Sequence, residues 1–176
     1  IMQRIVFIDT ADQYPHLEEW VKANGGEMAD VKIIAFTPEI QAVLVDKGIP
    51  HDSTVSYFGR IGHEKALARS SEVLALLREY IEIADNFGNS MSYKHYILFN
   101  LRFFLHYIFF MLEVIHQTIR LHQPEEVLIP VSPSAGDGAS NYATYPSQLS
   151  NITEAYCKHI GMTVKKIPIP GAVADI

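Results

Sequence analysis

The sequence predicts an α/β domain of three layers, in which helices cover a mostly parallel, Rossmann-like sheet of five strands. Five short apolar runs, each typical of a buried strand, alternate with helical segments along the 176 residues. Gly and Pro stand at the ends of most of these segments, where the chain has to turn. A long pair of helices separates the third run from the fourth. A chain of this length buries about 70% of its unfolded surface, so it needs no disulfide or metal to fold.

The first half of the chain predicts three strands and two helices. The strands are the apolar runs at residues 5–8, 31–36 and, more weakly, 54–58. The helices lie between them, at residues 16–23 and 38–47. Asn24-Gly25-Gly26 is a strong stop signal for the first helix, because glycine tolerates the left-handed backbone that ends helices. Thr37 can cap the second helix, Pro38 suits its first position, and Gly48 ends it.

The second half predicts a pair of long helices, two further strands and a final helix. An apolar stripe recurs at spacings of three and four, which is typical of a helix, and it comprises Leu67, Ser70, Leu74, Leu77, Ile81 and Ala84. Residues 86–92, which include Gly88, break this helix, and a second one is predicted from Tyr93 to His122, before Pro124. The remaining elements are strands at residues 127–131 and 163–167 and a helix at residues 148–159.

The predicted ligand site lies where the parallel strands end, because open α/β sheets bind ligands beyond their carboxyl ends. The residues predicted to bind a ligand follow these ends: Asp9, Thr10, Thr37, Ser132, Ser134, Gly136, Asp137 and Gly138, with Tyr57 at the same edge. In the loop at residues 132–147, glycines allow a ligand to approach the backbone and small hydroxyls offer donors. Asp137 can accept from a sugar or ribose hydroxyl. A solvated surface loop is the alternative interpretation.

The sequence lacks the motifs that several classes of enzyme require. Neither a G-x-G-x-x-G fingerprint nor a P-loop is present, which disfavours dinucleotide oxidoreductases and P-loop nucleotidases. Asp9 and Asp12 have the wrong spacing for the Asp-x-Asp site of haloacid-dehalogenase-type enzymes, so a turn cap is the simpler interpretation of Asp9. Cys157, the only cysteine, lies within a predicted helix and favours a buried structural thiol. The sequence therefore predicts no metal and no cofactor, and it assigns no catalytic residue.

The second long helix carries a polar stripe along an otherwise apolar segment. At about 100° per residue, one narrow face holds His95, Arg102, His106, Glu113, His116 and Arg120. Such a stripe can line a cleft for an anionic ligand, with His106 as a general base. The simpler interpretation is the wet side of a buried helix.

Charge limits the partners that the sequence favours. The formal net charge is −6, and the basic residues near Arg60 are interrupted by acidic ones, so nucleic acid is a disfavoured partner. No secretion signal is recognisable at the start of the sequence, which favours the cytoplasm.

The aromatic segment 96–119 is apolar enough to need a membrane test. Its longest uncharged stretch is residues 103–112, well short of the roughly 20 residues that a spanning helix requires. The segment therefore predicts a buried core helix and no membrane span. If its aromatic side chains find no partners within the chain, they predict a homodimer through this helix.

Three stretches of the sequence carry a resemblance to one family of α/β domains. The first is the strand Arg4-Ile5-Val6-Phe7-Ile8 with its short helix and Gly-Gly break. The second is Val31-Lys32-Ile33-Ile34-Ala35-Phe36-Thr37-Pro38-Glu39 with the helix that ends at Lys47-Gly48-Ile49. The third runs from Ile119 to Pro130 and is similar to the family's helix, Lys-Pro-Asp and Val-rich strand, although Glu125 and Glu126 stand where Asp is usual. Gly161-Met162-Thr163-Val164 is similar to a later strand of the same family. Together these stretches resemble the N-terminal domain of GT-B-type glycosyltransferases, particularly those of surface-polysaccharide assembly.

This resemblance implies an acceptor-side domain that binds a small-molecule or saccharide acceptor across residues 132–142. GT-B enzymes hold the nucleotide-sugar donor mainly in a second, C-terminal domain, so residues 1–176 are expected to be a single α/β domain that forms the N-terminal half of a longer protein. Such a domain does not transfer sugar alone. Two alternatives stay open: a stand-alone module that binds a small molecule or nucleotide through Asp9, Ser134 and Asp137, and an oligomerisation domain.

Overall fold

The computed structural model describes residues 4–85, 94–131 and 148–169, and in these ranges the chain is an α/β protein with one sheet. The strands are β1 (Arg4–Ile8), β2 (Val31–Ala35), β3 (Asp52–Ser53), β4 (Glu126–Val131) and β5 (Val164–Pro168). The helices are α1 (Gln13–Ala23), α2 (Pro38–Asp46), α3 (Arg60–Asp85), α4 (Lys94–His122) and α5 (Gln148–Ile160).

The five described strands are all parallel and lie in the order β3-β2-β1-β4-β5. This is the usual strand order of doubly wound nucleotide-binding sheets without a sixth strand. It confirms the predicted fold class, a Rossmann-like three-layer sheet with the long helical pair α3 and α4 between the third and fourth strands. The strand order reverses between β1 and β4, because the chain moves outward to β2 and β3 before it returns to β4 on the other side of β1.

The third strand differs most from the prediction. The sequence predicts a strand at residues 54–58, but β3 covers Asp52 and Ser53, and Thr54–Ser56 forms a 3₁₀ turn. Val55, whose apolar character suggested a buried strand, is exposed. An edge strand has one neighbour, so a short pairing of half-buried polar residues with Ile34 and Ala35 is enough to place it.

Alternating side chains of β1 divide the core between the two faces of the sheet. On one face, Val6 and Ile8 pack in a buried cluster with side chains of both neighbouring helices, namely Tyr14, Leu17 and Val21 of α1 and Ile40 and Leu44 of α2. Ile5 and Phe7 point to the other face and are also buried, and α5 contacts β1 and β4. Full burial of one such side chain contributes about 1.5–3 kcal/mol to the stability of the fold, so the apolar contacts on the two faces stabilise the packing of the helices against the sheet.

The register of β1 and β2 brings together the residues that follow the two strands. Ile8 pairs with Ala35, and the amide of Phe36 donates to the carbonyl of Ile8 at 2.8 Å. Thr37 then caps α2 as predicted, because its Oγ1 accepts from the amide of Ile40 at 3.4 Å. The ends of β1 and β2 and the start of α2 are therefore fixed at one edge of the sheet.

The chain divides into two compact units. Unit 1 comprises residues 1–56 and 119–176 and contains the sheet with α1, α2 and α5. Unit 2 comprises residues 57–118 and contains α3 and most of α4. Within unit 2, a Cβ on Gly62 would lie 3.1 Å from Cδ2 of Phe58 and 3.3 Å from Cγ of Glu113. Glycine at this position therefore allows the first turn of α3 to approach α4 closely.

Most of the described side chains in the first half of α4 are exposed, although Leu105 is buried, and the prediction of a buried core helix is wrong for the exposed residues. Its exposed large side chains are Tyr96, Ile97, Phe99, Phe103, Phe104 and Tyr107. In the second half, Met111, Val114 and Ile115 are fully buried, as predicted. Tyr96–His122 is long and apolar enough to cross a membrane by length and composition, and 11% of its most apolar window is buried. An apolar helix is buried only where another element covers it, and among the described residues such cover begins in the middle of α4.

Candidate functional site

A hydrogen-bonded polar cluster lies at the carboxyl edge of β1 and β2. The side chain of Gln13, in the first turn of α1, accepts from the backbone amides of Asp9 at 2.8 Å and Thr10 at 3.3 Å. Its Nε2 donates to Oδ1 of Asp9 at 2.9 Å. Thr37 donates from its Oγ1 to the carbonyl of Asp9 at 2.8 Å. The structure therefore brings together Asp9, Thr10 and Thr37, three of the residues predicted to bind a ligand.

Exposure decides what each member of this cluster can do. Gln13 is buried, Asp9 and Thr37 are half-buried, and Thr10 is exposed. Gln13 and Thr37 direct polar atoms at the backbone of the strand ends and therefore hold the loop in place. The Asp9 carboxylate and the neighbouring Thr10 are the groups that a ligand at this edge can reach.

Gln13 is the member of the cluster that the sequence analysis missed. The first helix is predicted to begin at His16, which leaves Gln13 in a loop, whereas α1 begins at Gln13. The missed signal is a long polar side chain four residues after Asp9. From the first turn of a helix, such a side chain can reach back to the last amides of the preceding strand.

The other predicted ligand-binding residues, Ser132, Ser134, Gly136, Asp137 and Gly138, lie outside the described residues. The elements on either side of them are described, because β4 ends at Val131 and α5 begins at Gln148. Oγ of Ser150 donates to the carbonyl of Pro130, so the start of α5 is tied to the end of β4. The carboxyl end of β4 therefore lies at the same edge of the sheet as Asp9. Tyr57, placed at this edge by the sequence analysis, belongs to unit 2.

A second polar site lies in unit 2, in an open cavity of about 500 Å³. Its lining includes Tyr57, Gly59, Arg60, Lys65, Glu113 and Gln117. Glu113 is buried, accepts from Nε2 of Gln117 at 2.8 Å and lies 3.6 Å from Nζ of Lys65. The interpretation of the polar stripe of α4 as a wet face is therefore wrong at Glu113, which is a paired carboxylate inside unit 2.

Two histidines of unit 2, His63 and His106, lie beside each other, with their ring centroids 5.1 Å apart. Nδ1 of His106 is buried and has no hydrogen-bond partner within the described residues. Burial lowers the pKa of His106, and the nearby His63 and Arg102 lower it further. The lowered pKa favours the neutral imidazole of His106 at neutral pH. Two other members of the polar stripe, Arg102 and Arg120, are exposed to solvent. The side chain of His95 lies outside what the structure describes.

Cys157 confirms the prediction of a structural thiol. It is fully buried in α5, and burial raises the pKa of its thiol to about 11. The thiolate, which is the reactive form, is therefore scarce at neutral pH. In the described part of the chain, no three His, Cys, Asp or Glu side chains are grouped as metal ligands.

A shallow groove of about 330 Å³ lies at the amino end of β2, away from the predicted edge. Two of its charged side chains, Lys32 and Asp52, are paired at 2.7 Å, and Asp30 is a further acidic residue of its lining. The carboxyl edge near Asp9 thus remains the site that the strand order favours, since it adjoins the reversal between β1 and β4. Comparisons of the chain with protein-family models, with curated proteins and with solved structures found no match.

Proposed function

We propose that this chain is the acceptor-side domain of a glycosyltransferase-like protein and binds a small, hydroxyl-rich acceptor at the carboxyl edge of β1. The observation that carries the proposal is the place of the cluster around Asp9. It follows β1 directly, beside the reversal of strand order, where doubly wound sheets form their ligand crevice. The resemblance of the strands and their punctuation to GT-B N-terminal domains supports the same proposal.

The chemistry of the cluster suits a saccharide. A carboxylate such as Asp9 can accept from more than one hydroxyl, and bonds to a charged acceptor are stronger than bonds between neutral groups. Gln13 and Thr37 fix the backbone of this loop before a ligand arrives, which reduces the entropy lost on binding.

The charge of unit 1 favours a neutral ligand over a polyanion. Residues 1–56 and 119–176 contain eight Lys and Arg residues and fourteen Asp and Glu residues, so this unit accounts for the whole net charge of −6. A nucleotide brings further negative charge to this surface and is repelled. On this proposal the nucleotide-sugar donor is held by another domain, and the chain alone does not transfer sugar.

A stand-alone nucleotide-binding module is the second candidate. The order β3-β2-β1 favours it, because that arrangement is the mononucleotide-binding half of doubly wound sheets. The loop after β1 lacks a glycine-rich fingerprint to hold a phosphate, and the acidic charge of unit 1 opposes one. The two candidates therefore differ in the ligand that they expect at the same edge.

An NMR titration of the ¹⁵N-labelled chain distinguishes them, with N-acetylglucosamine as the saccharide probe and UDP as the nucleotide probe. We expect N-acetylglucosamine to change the chemical shifts of the amide resonances of Asp9, Thr10 and Gln13. UDP should leave these chemical shifts unchanged. Asp9→Asn should weaken the saccharide about tenfold or more, since a hydrogen bond to a charged group contributes about 1.5–3 kcal/mol.

Asp46→Asn is the matched control, because it removes one exposed carboxylate from unit 1 at the end of α2. Saccharide affinity should be unchanged in this variant. Shifts caused by UDP alone at the same amides support the nucleotide-binding module instead. If neither probe moves these amides, the proposed site is wrong.

A further inference from the structure

The first half of α4 presents a continuous aromatic surface to solvent. Tyr96, Phe99, Phe103 and Tyr107 recur every three or four residues, which places them on one side of the helix. Their exposed fractions are 71%, 62%, 61% and 45%. The rings of Phe99 and Phe103 are in edge contact, with centroids 4.8 Å apart. We call these four side chains, with the neighbouring exposed Phe104, the aromatic face; it extends for roughly 16 Å along the helix.

Such a surface needs an explanation beyond the saccharide site. Soluble monomers rarely expose large contiguous apolar patches, and those that do usually use them to bind a partner or a membrane. The aromatic face belongs wholly to unit 2, whereas the cluster around Asp9 belongs to unit 1. The two surfaces can therefore be tested independently.

The charge pattern around the aromatic face indicates what covers it. Residues 96–112 contain no Asp or Glu, and their one Arg or Lys residue is Arg102, which is exposed. Unit 2 has six Lys and Arg residues and six Asp and Glu residues, so it lacks the net negative charge of unit 1. Arg102 belongs to the polar stripe that borders this face, so segment 96–112 offers a cation and no carboxylate, which is complementary to an anionic surface. In a symmetric pair of such faces, Arg102 finds no carboxylate on the partner's face.

The side-chain chemistry fits the interfacial zone of a bilayer. Helices that lie in this zone bury aromatic and aliphatic side chains among the lipids and direct basic side chains to the headgroups. Arg102 can lay its aliphatic stem along the apolar surface while its guanidinium reaches a phosphate. A spanning orientation fits less well, because Arg102 and Glu113 interrupt the apolar run and Met111, Val114 and Ile115 are already buried.

We infer that the aromatic face of α4 docks unit 2 on the surface of a membrane that contains anionic lipids. The helix lies along the bilayer surface, with Phe99, Phe103 and Phe104 among the acyl chains. Arg102 contacts the phosphate groups. This docking is independent of the ligand at the sheet edge.

Vesicle flotation of the full chain tests the inference. Two kinds of vesicle are used, phosphatidylcholine alone and phosphatidylcholine mixed with phosphatidylglycerol. We expect the chain to float with the mixed vesicles and more weakly with the neutral ones. Arg102→Gln should lower affinity for the mixed vesicles about fivefold, the contribution of one basic side chain near an anionic surface, and leave binding to neutral vesicles unchanged. Phe103→Glu should abolish binding to both.

Val45→Glu is the matched control, since it places the same charge at an exposed apolar position of unit 1. It should float like the wild type, and circular dichroism should show that all variants keep their secondary structure. Failure of the wild type to float, or equal binding to both kinds of vesicle, overturns the inference. So does a wild-type dimer that Phe103→Glu converts to a monomer without any vesicle binding, because a second copy then covers the face.

Discussion

Glu126 is a buried carboxylate that links three strands of the sheet. Its Oε2 lies 3.2 Å from Nε of Arg4 on β1, and its Oε1 lies 3.3 Å from Nζ of Lys165 on β5. The Arg4 contact lacks the alignment of a hydrogen bond, so charge attraction is its main component. Because Arg4 and Glu126 are both largely removed from water, each stabilises the fold only while the other is present.

Glu126→Ala should therefore lower the free energy of unfolding by about 3–5 kcal/mol, since it leaves the Arg4 charge buried and unpaired. Urea unfolding followed by circular dichroism measures this change. Glu154→Ala is the control, because Glu154 pairs with Lys166 at 2.8 Å in a half-exposed position. The Glu154→Ala substitution should lower the free energy of unfolding by about 0.2–1 kcal/mol. Equal decreases in the free energy of unfolding of the two variants would show that the burial of Glu126 does not strengthen its contribution to stability.

The hydroxyl of Thr37 stabilises both the start of helix α2 and the loop after β1. Oγ1 of Thr37 accepts from the amide of Ile40 and donates to the carbonyl of Asp9. The cap satisfies an amide that has no partner within the helix. The second bond fixes the loop after β1.

Thr37→Val removes both bonds and keeps the shape of the side chain. It should destabilise the chain by about 0.5–2 kcal/mol, the usual range for the loss of a threonine cap, as measured by urea unfolding. In the saccharide titration it should also weaken binding, because the Asp9 loop loses an anchor. Thr37→Ser keeps the hydroxyl and should behave like the wild type in both measurements. A Thr37→Val variant as stable as the wild type would contradict the proposed cap.

Most of the elements follow from local signals in the sequence. Gly48 and Gly161 follow the ends of α2 and α5 and have positive φ angles of 65° and 72°. Glycine adopts this conformation readily, and this is why a glycine in the sequence is a stop signal for a helix. Asp9 and Thr37 were predicted at one edge because they follow two apolar strands that pair in parallel. Such signals need only neighbouring residues.

What the sequence could not predict depends on contacts between distant residues. Gln13 was missed because its role requires the true start of α1. The buried Glu113 is paired with Lys65, which lies 48 residues earlier in the chain. The exposure of Phe103 depends on which part of α4 other elements cover, and composition alone carries no such information.

Protection from hydrogen exchange should differ sharply between the sheet and the long helices. β1 is paired on both sides and its residues from Ile5 to Ile8 are buried, so its amides should open only in global unfolding. Residues 71–80 of α3 are mostly exposed, and their amides should exchange by local opening at a lower free energy. Native-state exchange followed by NMR measures both. Equal protection would mean that α3 is covered in solution.

The two edges of the sheet have a consequence for self-assembly. β3 offers just two residues to a neighbouring chain, and β5 carries Lys165 and Lys166 and ends at Pro168, which has no amide hydrogen. An incoming strand would have to desolvate two ammonium groups and would find a donor missing from the ladder. Among the described strands, both edges of the sheet therefore disfavour pairing with another molecule, and we expect this to oppose fibril formation by the folded protein at high concentration.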